Sequence, residues 1–97
     1  MQFVIIKRPR ENFIETMTDG ESGIMSAHFE YLKQKLHEGK LIMAGPVLTG
    51  EFGLSVVETE SEEEAREIMN NDPAVLAGIM NPTIYPYRVS LLRGRDE

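Results

Sequence analysis

Two residues of this 97-residue chain, His28 and Asp72, are of the types that proton-transfer chemistry uses. An imidazole titrates near neutrality. A carboxylate that accepts a hydrogen bond from one ring nitrogen fixes the tautomer and leaves the other nitrogen to serve as general base or acid. The two residues lie far apart in sequence, so only the tertiary fold can bring them together. Each has a plainer alternative. A histidine at the border of a core often does no more than pack or hydrogen-bond, and Asp72 within Asn70-Asn71-Asp72-Pro73 is good turn chemistry in its own right.

Helix geometry separates His28 from the second histidine. Met25, Phe29, Leu32 and Leu36 follow the three-four spacing of an apolar stripe and predict a helix from Ser22 to Glu38, closed by Gly39. At about 100° per residue, His28 lies about 70° from the centre of that stripe, on the border of the buried face. His37 lies about 100° to the other side, among lysines and glutamates, where a solvated side chain is expected. Histidines on opposing faces cannot share a metal, and no third ligand has suitable spacing, so no metal is expected. The acidic run Glu60 to Glu64 lacks the calcium-loop pattern, the glycines form neither GxGxxG nor a Walker loop, and no serine sits in a nucleophile elbow. No cofactor is therefore expected.

The elements that must carry these residues follow from patterning. Residues 2 to 7 predict a first strand whose consecutive Phe3, Val4, Ile5 and Ile6 make both faces apolar, so something must cover each. Helices can cover one face, and a second subunit is the expected cover for the other. Residues 8 to 21 form a long connection, either a lid or a surface crossover, with room for a helical turn at Phe13, Ile14 and Met17. Short strands are expected over 41–44 and 53–59, and a second helix starts at Ser61, with Glu64 at the capping-box position. Pro73 ends that helix, Ala74 to Gly78 can add one further turn, and a last strand spans 83–92, with Pro86 marking an edge or a bulge. The order strand, helix, strand, strand, helix, strand predicts an α+β ferredoxin-like βαββαβ fold in one domain over 1–97, with two helices on one face of an antiparallel sheet. Tyr85 and Tyr87 share a face of the last strand with Val89 and Leu91, placed to line a ligand pocket or to bury their rings in a subunit contact, of which the contact is favoured.

Composition excludes several functions. The net charge of -6 argues against nucleic acid. No apolar run approaches the roughly 20 residues of a membrane span, and the first residues lack a signal-peptide pattern. The chain has no cysteine, so neither disulfides nor thiolate chemistry is available, and a reducing cytoplasm is the default location. Positive charge gathers at Lys7-Arg8-Pro9-Arg10 and at Arg93-Gly94-Arg95; the first run can receive an anion, though solvated strand ends are the simpler reading of both.

Several pieces together carry a family resemblance: the first apolar strand, His28 followed by Tyr31-Leu32, Gly39-Lys40-Leu41 leading to Ala44-Gly45-Pro46, Ser61-Glu62-Glu63-Glu64-Ala65, and Asp72-Pro73. In their order and spacing the chain resembles the YciI-like (YCII-related) family of the dimeric α+β barrel superfamily, over nearly its whole length. The resemblance implies a protomer that pairs sheet to sheet as a homodimer, and an active site of a histidine and an aspartate, here His28 and Asp72. Many members of that family have an arginine three residues before the histidine, where this chain has Met25. An anion-binding role at that position is absent here or passes to Arg8 or Arg10. Arg8, Arg10 and Tyr85 are accordingly the expected ligand-binding residues. Two functions are then open: a cofactor-independent enzyme performing elimination or isomerisation on a small cyclic or aromatic molecule, and a non-catalytic homodimer that binds a metabolite or another protein.

Overall fold

The computed structural model describes residues 1–94; Arg95, expected above to share a basic strand end with Arg93, lies outside them. Four strands, β1 (Gln2–Arg8), β2 (Leu41–Pro46), β3 (Gly53–Glu58) and β4 (Asn81–Tyr87), form one antiparallel sheet in the order β2-β3-β1-β4. Between them run α1 (Phe13–Thr16), α2 (Asp19–His37), α3 (Glu62–Asn70) and α4 (Pro73–Leu76). This is the α+β ferredoxin-like arrangement expected from the sequence. Pro86 falls on β4 at the sheet's edge, where a missing N–H costs no central ladder bond.

Alternation along β1 sets the two faces of the sheet. Phe3, Ile5 and Lys7 are buried on one side, while Gln2, Val4 and Ile6 are half-buried on the other. The core lies on the first side, where Phe3, Ile5, Leu41 and Val57 meet Ala65, Ile68 and Met69 of α3, flanked by Tyr31, Leu32 and Ile84. Each large apolar side chain buried there contributes about 1.5–3 kcal/mol, so β1, β3 and α3 anchor the fold.

Helix α2 starts earlier than expected, at Asp19. The Thr18 hydroxyl accepts from the Glu21 N–H at 3.1 Å, and the Glu21 carboxylate accepts from the Thr18 N–H at 2.9 Å, a complete capping box. Arg10 straps the preceding loop to this start through Glu21, at 2.6 Å and 3.0 Å. That bond and the Thr18 amide hold the Glu21 carboxyl down to about 2. Beyond α2, Gly39 adopts the left-handed conformation (φ 79°), its N–H bonded to the Leu36 carbonyl at 3.1 Å. The second capping box is only half formed: Ser61 accepts from the Glu64 N–H, but the Glu64 side chain turns to the Glu60 N–H and to Lys40.

One expectation about α2 needs correction. The stripe of Met25, Phe29, Leu32 and Leu36 is not its core face: Phe29 is 63% and Leu36 51% exposed, and no residue of α2 is fully buried. The half-buried positions are Glu21, Ile24, Met25, His28, Tyr31, Leu32 and Lys35. These centre close to His28, so the packed face is turned by about 70° from the apolar stripe. The cause is room: α2 stands off β2 and the neighbouring end of β3, and the apolar stripe borders the space between them.

Candidate functional site

The end of β1 delivers the first member of the site. Lys7 continues the Phe3–Ile5 alternation inward and is only 4% exposed, which corrects the reading of Lys7-Arg8-Pro9-Arg10 as a solvated strand end. A lysine on a core face must find a carboxylate, because an unpaired buried ammonium is costly. It finds Asp72, at 2.5 Å from Nζ to Oδ2.

Asp72 occupies the Asn-Asn-Asp-Pro turn. As the N-cap of α4, with Pro73 in the first turn, it accepts from the Ala74 N–H at 2.9 Å. Turn-shaping and site-building are thus done by one side chain. It is fully buried, 0% exposed. Both oxygens also lie 2.8 Å from Nδ1 of His28, which α2 brings over from the other side. Burial opposes ionisation of Asp72, yet the hydrogen bonds from His28 and Lys7 and the charge of Lys7 outweigh it, holding the carboxyl below its usual range.

An ionised carboxylate can only accept, so Nδ1 of His28 must carry the proton. Nε2 then holds the lone pair of the neutral ring, and it has no hydrogen-bond partner among the described residues. Nearby, the Tyr31 hydroxyl donates to the Ile68 carbonyl at 2.8 Å. Burial, with the charges of Asp72 and Glu38, pushes its pKa up to about 12, so it stays a neutral fastener of α2 to α3.

Lys7 and His28 both line a cavity of about 590 Å³ between α2 and the β2–β3 end of the sheet. Its remaining wall is largely apolar, with Met25, Phe29, Leu32, Leu41 and Met80 prominent. That volume suits one small ring molecule. Among the described residues, no group of three His, Cys, Asp or Glu side chains could hold a metal ion, and no helix is long and apolar enough to cross a membrane.

The fold therefore brings His28 and Asp72 into contact but leaves Arg8, Arg10 and Tyr85 outside the cavity. The Arg8 guanidinium lies 4.9 Å from the centre of the Phe52 ring. Arg10 is engaged by Glu21 and Thr16 and covers Phe13. Tyr85 pairs with Val4 on β1, on the face opposite the core, because alternation along β4 points Ile84 inward. Lys7 is the site residue that sequence reasoning missed. The signal was present in the alternation of Phe3, Ile5 and Lys7.

Residues 1–88 match the model of the YCII-related domain. The chain is 35% identical to an uncharacterized protein, YjpA, of Bacillus subtilis strain 168 over 65 residues, 67% of this chain and 76% of the relative. Its fold is similar to that of a 5-chloro-2-hydroxyhydroquinone dehydrochlorinase from Burkholderia phenoliruptrix AC1100, solved in complex with 2,5-dihydroxybenzoquinone. That match has a TM-score of 0.73 at 21% identity, covering 91% of this chain and 94% of the other. With the family model matching most of its length, the chain belongs to the YCII-related domain family.

Proposed function

We propose that this protein is a cofactor-independent acid–base enzyme acting on a small cyclic or aromatic molecule by elimination or isomerisation. One observation carries the reading: His28 gives Nδ1 to a buried, ionised Asp72 while its ring borders an apolar cavity of ring-molecule size. Nε2 takes a proton from an activated carbon of the bound ring, and the C–H electron pair shifts toward a neighbouring carbonyl. In an isomerisation the imidazolium returns the proton to another carbon; in an elimination a leaving group departs with its bonding pair. Asp72 holds the tautomer and balances the imidazolium charge as it forms. The apolar wall limits water at the reacting carbon and favours a flat ring over a polar chain.

The fold neighbour's name and bound quinone supply the first compounds to try. The protein is expected to accelerate chloride release from 5-chloro-2-hydroxyhydroquinone or a related chlorinated hydroxybenzene, read with a chloride electrode against buffer alone. Absence of turnover across such a panel and across isomerisable cyclic enones, with binding retained, would turn the assignment to a metabolite-binding protein.

The catalytic unit is proposed to be a homodimer paired through the open face of the sheet. That face carries half-buried Val4, Ile6 and Leu54, with Tyr85 and Tyr87 about half exposed beside them. A contiguous apolar surface of this kind is unusual on a protein that works as a monomer. Sedimentation equilibrium at micromolar concentration is expected to give twice the 11.0 kDa chain mass. A monomer mass there would remove the dimer.

A further inference from the structure

We propose that Lys7 is the oxyanion-binding residue of the cavity, and that the molecule bound there is a flat apolar ring carrying an ionised oxygen, a phenolate or an enolate. The proposal rests on reading the cavity as a substrate site and adds what the substrate must carry.

Donor capacity is the first argument. An ammonium has three N–H donors, and among the described residues Nζ of Lys7 bonds only to Asp72. A buried cation with donors to spare, on the wall of a cavity, is arranged to receive an acceptor. Nor can Asp72 take more from it: its oxygens already accept from His28, Lys7 and the Ala74 N–H.

Charge is the second argument. Among the described residues, no Asp or Glu lines the cavity. Buried Asp72 and Lys7 offset one another, so the site is close to neutral while His28 is neutral. An arriving phenolate meets a donating ammonium rather than a carboxylate. When His28 takes a proton from carbon, the electron pair ends on the substrate oxygen. The new anion then faces Lys7 while the imidazolium faces Asp72, so each new charge has a partner already in place. The other cation on the wall, Lys33, stands at the exposed mouth, 3.6 Å from Glu30 and over the Phe29 ring, where solvent screens it. Met25 adds no charge, which leaves Lys7, among the described residues, as the sheltered permanent cation of this wall.

The test measures binding rather than turnover, with 4-nitrophenol, whose hydroxyl titrates near neutrality and whose anion is coloured, and nitrobenzene as the neutral control. Wild-type protein is expected to bind the nitrophenolate at least about tenfold more tightly than the neutral phenol, as a charge-assisted bond in a sheltered site should. Because Lys7→Met alone strands a buried carboxylate, the informative variant is Lys7→Met/Asp72→Asn, which removes both charges. It is expected to lose the preference for the anion while still binding nitrobenzene, and His28→Gln is expected to keep the preference. Retention of the anion preference in the double variant, preference of the wild type for the neutral phenol, or no binding at millimolar probe would each overturn the proposal. A preference lost in His28→Gln and kept in the double variant would assign anion binding to His28 and exclude Lys7, while nitrobenzene binding would still mark the cavity as a ring site.

Discussion

Replacing His28 with glutamine is expected to lower kcat on a turned-over ring substrate by about 10²–10⁴-fold, the usual contribution of a positioned acid–base group. KM should change little, because the apolar wall that holds the ring is left intact. Glutamine can still reach Asp72 with its amide N–H, so the fold and the neighbouring ion pair should survive, and a loss of rate would report chemistry rather than unfolding. Asp72→Asn should also slow the reaction, by setting the ring tautomer incorrectly. Its effect should not multiply with that of His28→Gln, because the two side chains act as one unit. A His28→Gln enzyme with full activity would remove the residue from the mechanism, and independent, multiplicative effects would separate Asp72 from it.

How far the sequence foretold this site depends on which physical rule each residue obeyed. The element order and the cap at Gly39 were legible because patterning, glycine conformation and strand length all agree locally. His28 was marked as a border residue by helix angle, and it sits near the middle of the packed face of α2 instead. The apolar stripe that set the expected angle faces a cavity. Spacing records which residues share a face, not whether that face meets a wall or a space. Asp72 had two readings, and both describe its geometry: it caps α4 and also contacts His28, a distant residue that no local rule connects to it. Lys7 was misread because its neighbours Arg8 and Arg10 made it part of a basic run. Strand alternation contradicts that grouping, for a lysine two residues after Ile5 points where Ile5 points.

Removing Asp72 is the change expected to cost the most stability. Asp72→Ala leaves Lys7 buried without its counter-charge, takes the partner of His28 Nδ1, and deletes the α4 cap. Breaking a buried ion pair by removing one partner typically costs about 3–5 kcal/mol, a large share of the roughly 5–15 kcal/mol that a small domain has. The urea midpoint should fall accordingly. Lys7→Met/Asp72→Asn should recover more than half of that loss, since no orphan charge is left and methionine fills the lysine's path. Acid titration supplies a separate check with a definite sign. The Asp72 carboxyl is held below the ordinary aspartate range in the folded protein, so its stabilising contribution is complete above that range. The contribution is lost as pH falls through the lower folded-state value, where proton uptake favours the unfolded chain. Glu21, held to about 2, gives the same direction of change in every variant that keeps it, so the difference between wild type and Asp72→Asn isolates Asp72. The wild type should therefore lose stability more steeply than Asp72→Asn as pH falls below about 4. Parallel acid curves, or a double variant no more stable than Asp72→Ala, would mean that Lys7 and Asp72 do not depend on one another as their geometry requires.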